Sequence, residues 1–286
     1  MTVCIGAICG GQSPILLAAS DRMVTSSDIE FEQPQPKIFH LAKHTLALIS
    51  GDISFQTEVV SETQREVAAT GITLVTETTK AFAQIYARRC RESVEAGVLA
   101  PINLTSESFL RQQQALHPQL VELITRQLQT GMSERDDATV VLGVDGLGPH
   151  LAMVYGPGQY ACMDTIAFVA TGAGARHAES QFMFSRYTRA WSFPRALYLV
   201  YVAKRRAEVA PGVGRATDLA VITTDPPGVL HLPDGHDFLK LLKSIYDEET
   251  RLVFEARSKA IDALDRELRI LLTNSGMCCQ AQKEVA

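Results

Sequence analysis

The chain opens with two apolar runs on either side of a glycine-rich break. Val3-Cys4-Ile5-Gly6-Ala7-Ile8-Cys9 and Ile15-Leu16-Leu17-Ala18-Ala19 flank Gly10-Gly11-Gln12-Ser13-Pro14. This pattern predicts a β-hairpin with a longer loop. The midpoint of positions 2 and 21 falls at 11.5, inside Gly11-Gln12, so the fold-back sets Thr2 beside Asp21 to within a residue or two. A second hairpin is predicted from Ile38–Leu41 and Thr45–Ile49 around Ala42-Lys43-His44. The midpoint of 37 and 51 is 44, which sets Lys37 opposite Gly51. Amphipathic spacing then predicts helices over 54–69, over 77–96 with Thr76 as N-cap and Gly97 as stop, and over 106–130. Pro118 should break or kink the last of these, and Gly131 should close it.

Strands are expected again at 138–144, 151–155 and 161–170, helices at 178–187 and 194–209, and a strand at 218–223 before the breaker Asp225-Pro226-Pro227-Gly228. Hairpin-grouped strands with helices in separate blocks predict an α+β protein whose antiparallel sheets are covered by helical layers. Residues 236–272 carry apolar side chains every three or four positions, including Phe238, Leu242, Ile245, Leu252, Leu264, Leu268 and Leu271. Glu255–Lys259, Asp262–Arg266 and Asp265–Arg269 add favourable i,i+4 charge pairs. One continuous helix of about 55 Å would result. It packs either on its own core or on a neighbouring subunit. The domain reading is 1–225, with a helical insertion at about 98–135, followed by a helical extension and polar tail over 226–286.

Composition changes this picture little. The 286 residues are 46% hydrophobic and 21% charged, as in soluble globular domains, and the net charge of −5 favours neither nucleic acid nor an anionic membrane surface. No apolar run approaches the roughly 20 residues of a spanning helix. The six Cys (4, 9, 90, 162, 278 and 279) form no CxxC pair and no disulfide framework. Residues 1–9 are too short for a secretory signal, so a reducing cytoplasm and inert thiols are expected. The seven His show no metal spacing, and Lys204-Arg205-Arg206 is expected on a solvated helix face, a ring contact being the other reading.

Thr2 carries the candidate chemistry. A small residue after an initiator Met allows Met1 to be removed, which would leave one residue with a hydroxyl and a free α-amine. A hydroxyl needs a base to become a nucleophile, and an α-amine with a pKa of about 7.7–8.0 is suited to that task. Asp21 falls beside Thr2, and Lys37 follows 16 residues later. An ammonium there would polarise the hydroxyl while the carboxylate holds the lysine. The Ser50-Gly51 backbone could offer an N–H to an oxyanion. The plain alternative for Asp21 and Lys37 is an ion pair at a hairpin end.

At these residues the sequence resembles the proteasome-type N-terminal-nucleophile hydrolases. The likeness rests on Thr2-Val-Cys-Ile-Gly6, Leu17–Thr25, Pro36-Lys-Ile-Phe39, Leu48-Ile-Ser-Gly51, Gly143-Val-Asp-Gly146, Ala170-Thr-Gly-Ala-Gly174 and Gly214–Ile222, in order over residues 2 to about 223. The resemblance implies a four-layer αββα sandwich of two antiparallel sheets, assembled into stacked homo-oligomeric rings around a chamber. It implies Thr2 as nucleophile, Asp21 as its acidic partner, Lys37 as the lysine that acidifies the site and Gly51 as the oxyanion-hole glycine. Val24, Ile49 and Ile53 fall where the family lines a specificity pocket. Peptide or protein substrates and no metal or organic cofactor are implied; an ATPase or assembly partner is left unspecified. Three departures stand out. Ala173 replaces a serine usual between two glycines. The family's later Asp and Ser fall in Glu208–Val213, where only Glu208 could substitute. The 98–135 and 236–286 segments are additions. A threonine peptidase, a non-catalytic ring subunit and a small-molecule amidohydrolase all remain open.

Overall fold

The computed structural model of the protein describes residues 2–26, 29–133 and 137–274. Met1, whose removal is expected, lies outside them. So does the polar tail beyond 274, with Cys278 and Cys279. In chain order the elements are β1 (Cys4–Cys9), β2 (Ile15–Ser20), β3 (Met23–Ser26), β4 (Ile29–Glu32), β5 (Ile38–Ala42), β6 (Thr45–Ser50), α1 (Ile53–Thr70), α2 (Val75–Val98), α3 (Ser106–Gln112) and α4 (Pro118–Ser133). Then come β7 (Ala138–Asp145), β8 (Gly148–Tyr155), β9 (Tyr160–Cys162), β10 (Phe168–Thr171), α5 (Ala175–Phe184), α6 (Phe193–Ala207), β11 (Asp218–Thr224), β12 (Pro227–Leu232) and α7 (Asp237–Asn274). Residues up to His236 form one compact unit and those from Asp237 a second.

In the first unit the strands form two five-stranded antiparallel sheets, ordered β10-β1-β2-β11-β12 and β5-β6-β7-β8-β9, and a small β3-β4 ribbon. β1 and β6 are buried along their whole length, which is why their sequences run apolar without alternation. The helices α5 and α6 pack on the first sheet, α1 and α2 on the second, and the sheets meet through β1, β10 and β11 against β6, β7 and β8. Ile49, Val59, Phe82, Tyr86 and Val141 form part of the core between the second sheet and its helices.

Local chemistry explains most boundaries. Asp52 caps α1, accepting the N–H groups of Ser54 (3.0 Å) and Phe55 (3.2 Å). The expected Thr76 cap of α2 is not used: the helix begins two residues earlier, at Val75, and Asp145 accepts the Val75 N–H at 2.8 Å from the β7–β8 turn. Pro118 starts α4, where its missing N–H costs nothing. Gly131 does not end that helix; a Cβ there would press on Val94 at 3.1 Å, so the glycine serves the contact with α2.

Two strands differ from the sequence expectation. The single strand expected at 161–170 is split between the sheets. β9 pairs with β8, β10 pairs with β1, and Asp164, accepting the Leu151 N–H at 2.6 Å, sits in the turn between them. The segment after the 225–228 breaker, expected to begin the helical extension, instead forms β12, which pairs with β11 from Thr224–Pro227 to Leu219–Leu232.

Candidate active site

The β1–β2 register pairs Cys4 with Ser20, one residue from the midpoint estimate, and the Asp21 N–H donates to the Val3 carbonyl at 3.3 Å. Asp21 therefore lies across from Val3, and its carboxylate turns towards the neighbouring Thr2. In the second hairpin a bulge between His40 and Ala42 shifts the pairing. Lys37 faces Ile49, whose N–H donates to the Lys37 carbonyl at 3.2 Å, and not Gly51 as expected. The turn, which pairs Ala42 with Thr45, accounts for one residue of this shift and the bulge for the other, yet the lysine's four-carbon stem still reaches Thr2.

Thr2, Asp21 and Lys37 are all essentially buried, at 1%, 0% and 1% exposure. The Lys37 ammonium donates to Thr2 Oγ1 at 2.6 Å, to Asp21 Oδ1 at 3.3 Å and to the Met23 carbonyl, so its three protons are all used. The Thr2 hydroxyl in turn donates to Asp21 Oδ1. Asp21 also accepts the backbone N–H groups of Val3 (3.1 Å), Met23 (3.0 Å) and Gly214 (2.8 Å). A buried charge pair needs this density of partners to offset its desolvation. Beside it, the Cys4 thiol donates to the Ile49 carbonyl at 3.3 Å, and burial pushes its pKa up to about 12. Just past Asp21, Arg22 makes a two-pronged pair with buried Asp218 at 2.7 and 2.6 Å, which fixes the chain leaving β2.

A pocket of about 510 Å³ opens on this cluster. Thr2, Lys37 and Gly51 line it together with Val24, Ile49 and Ile53. Gly51 has φ +103°, and a Cβ there would fall 1.9 Å from Asp137 Oδ1, so no other residue fits. The Gly172 loop covers the other side of Thr2: a Cβ on Gly172 would lie 2.3 Å from the Thr2 carbonyl oxygen, and the Gly174 N–H donates to that oxygen at 3.1 Å. Ala173, between them, is exposed.

The expected site residues Thr2, Asp21, Lys37 and Gly51 are thus gathered at one pocket. Glu208 is not part of that gathering. It accepts from Lys204 Nζ at 2.7 Å and from Arg205 at 2.8 Å, in the turn after α6. Lys204 is not on a solvated face as expected but fully buried, and burial lowers its pKa. Sequence reasoning gave Asp137 and Glu32 no role and met Gly214 only as the first residue of the Gly214–Ile222 stretch. Glu32 accepts the N–H groups of Arg215 and Ala216.

Chemically, the Lys37 ammonium on the Thr2 hydroxyl favours a developing alkoxide, and the Asp21 carboxylate holds that ammonium in place. Among the described residues no group of three or more His, Cys, Asp or Glu side chains could hold a metal, and no helix is long and apolar enough to cross a membrane. No family model matches the chain, and no curated protein matches it.

Proposed function

We propose that the protein is a threonine-type peptidase or amidase of the proteasome-like N-terminal-nucleophile class, with Thr2 as nucleophile once Met1 is removed. The observation that carries this reading is the Lys37 ammonium 2.6 Å from Thr2 Oγ1, with Asp21 bonded to both, at the mouth of the pocket that Gly51 lines. Two antiparallel sheets packed on one another, each with its own helices, are consistent with the four-layer sandwich of that class.

In the reaction the α-amine of Thr2 takes the Oγ1 proton and Oγ1 attacks the carbonyl carbon of an amide. Lys37 lowers the cost of the developing alkoxide, and the Gly51 N–H is the candidate donor to the oxyanion. Collapse of the tetrahedral intermediate releases the amine, which receives the proton from the α-amine. Water then attacks the Thr2 ester, giving up its proton to the α-amine, which passes it to Oγ1 as the C–O bond breaks and the acid is released. Val24, Ile49 and Ile53 fit an apolar group on the acyl side. Assembly into a homo-oligomeric ring belongs to the same proposal. The exposed apolar side chains of α7, among them Phe254 at 73%, Leu264 and Leu271, support a contact between copies.

Intact mass combined with a β-lactone or epoxyketone probe tests the reading. A chain lacking Met1 that gains one probe equivalent on Thr2 supports it; retained Met1 or an unlabelled Thr2 overturns it. A non-catalytic subunit of the same fold is favoured by one observation, that Glu208 is committed to Lys204 and Arg205 and does not reach Thr2.

A further inference from the structure

The loop between α6 and β11 is gripped from two sides. On one side stands Lys204, a fully buried side chain that the reaction above does not use. Its Nζ donates to Glu208 Oε1 at 2.7 Å, to the Gly214 carbonyl at 3.0 Å and to the Arg215 carbonyl at 2.9 Å. All three ammonium protons are spoken for. On the other side stands Glu32, on β4. Its Oε1 accepts the Arg215 N–H and, at 2.9 Å, the Ala216 N–H. The peptide units 214–215 and 215–216 are therefore held between a cation at their carbonyls and an anion at their N–H groups, the orientation that both dipoles favour. The next N–H upstream is that of Gly214, which donates to Asp21 Oδ2 at 2.8 Å. The fit leaves no slack: a Cβ on residue 214 would fall 2.6 Å from Glu32 Oε1 and 3.1 Å from the Met23 nitrogen.

We propose that Lys204 and Glu32 are positioning residues: they clamp the Gly214–Ala216 turn so that the Gly214 N–H fixes the Asp21 carboxylate against Thr2 and Lys37. The inference rests on the reading of Thr2 as the nucleophile. The two carboxylate oxygens divide the work. Oδ1 meets the Thr2 hydroxyl, Lys37 and the Val3 N–H, while Oδ2 is held only by the backbone N–H groups of Met23 and Gly214 among the described contacts. Releasing Gly214 lets the carboxylate rotate about its Cβ–Cγ bond and carries Oδ1 off the hydroxyl. A misplacement of about 1 Å at a reacting group costs up to 10²-fold in rate.

The test uses the full chain with Glu32→Ala, Glu32→Gln and Lys204→Met. Three quantities are read: the rate of Thr2 labelling by a β-lactone, kcat and KM on a fluorogenic peptide amide, and hydrogen exchange at the Gly214 amide. Glu32→Ala is expected to slow labelling and kcat about ten-fold with KM within two-fold, and to speed Gly214 exchange about ten-fold. Glu32→Gln, which keeps an acceptor oxygen, should stay within about three-fold of the parent in labelling and exchange. Lys204→Met should lose more. That variant also strips Glu208 and two carbonyls of their partner and can unfold the loop, so the exposed Glu32 position decides the matter. Wild-type labelling in a folded Glu32→Ala variant overturns the inference. So does a raised KM at unchanged kcat, or unchanged Gly214 exchange. A parent chain that has lost Met1 yet takes no probe sinks the nucleophile reading itself, and the positioning role falls with it. Gly214 exchange that still answers to Glu32→Ala would then identify the clamp as purely structural.

Discussion

Lys37 and Asp21 are worth more to each other than either is alone. Both are buried, and each supplies the other's counter-charge at 3.3 Å. Lys37→Met should therefore abolish labelling of Thr2 and destabilise the fold by about 3–5 kcal/mol, since it leaves Asp21 charged and without its cation. Lys37→Met combined with Asp21→Asn should be less destabilised than the sum of the single variants. Denaturant titrations of the four proteins read this coupling, and strict additivity would show the pair to be incidental. Cys4 provides a second test at the same spot. Its pKa, pushed up to about 12 by burial, keeps it a thiol at any working pH. Iodoacetamide at pH 8 should therefore modify exposed Cys162 in the native protein and leave Cys4 untouched until it is unfolded, as peptide mapping can show. These residues were legible in the sequence because hairpin folding is a local rule: residues equidistant from a turn must meet. Lys204 was not. Three consecutive basic residues look solvated in any helix, and it takes the Glu208 carboxylate together with the distant Gly214 and Arg215 carbonyls to make burial of the first one tolerable.

Between elements, register errors came from irregularities that composition does not announce. The turn centre and the bulge at β5 together moved Lys37 from Gly51 to Ile49, and the turn around Asp164 sent half of one apolar run into the other sheet. β12 was hidden behind two prolines, because an edge strand tolerates a proline that a central strand does not. The Gly172 loop shows how closely elements approach at the site. Gly172→Ala would strain a residue at φ +88° and drive a methyl into the Thr2 carbonyl. It should slow Thr2 labelling by at least about ten-fold, whereas Ala173→Ser, at an exposed position, should leave the fold's melting temperature unchanged within about 1 °C. A different junction joins the outer edges of the two sheets. His40 of β5 and His231 of β12 bring their Nε2 atoms to 2.7 Å, which requires at least one neutral ring. The His231 pKa is lowered, first by burial and then by His40. A lowered folded-state pKa means that the folded form binds protons less readily than the unfolded one. The contribution is thus fully present above the ordinary value of about 6.5 and is lost as pH falls through the folded value. Thermal melts from pH 7.5 to 5 should show this loss, and His231→Asn should flatten it. An unchanged slope in the variant would assign the loss to other groups.

For the molecule as a whole, the decisive question is what α7 meets. At 38 residues it is about 57 Å long, and every side chain from Arg251 to Leu271 is exposed. Its charged residues pair within the helix, Arg251 with Glu248 and Glu255, and Arg269 with Asp265. Such pairs contribute only tenths of a kcal/mol each, too little to hold so long a helix by itself. Its apolar side chains recur at an 11-residue period, Leu242, Val253 and Leu264 on one row and Leu241, Leu252 and Ala263 on the next. A row that keeps this period stays on one face of a nearly straight helix, which suits pairing with another helix along its length. If copies of the chain assemble as proposed, light scattering of the full chain should give an integral multiple of the chain mass at micromolar concentration. Leu264→Glu with Leu268→Glu, at positions 57% and 46% exposed, should lower that multiple or make it concentration-dependent. The same double variant should leave the cooperative melt of the first unit and the labelling rate of Thr2 unchanged, because both residues lie in the second unit. A monomer at every concentration would remove the ring from the proposal and favour an open amidohydrolase. An oligomer indifferent to both substitutions would move the contact away from this face of α7. Labelling that fell in step with assembly would show that the pocket needs a neighbouring copy to be complete.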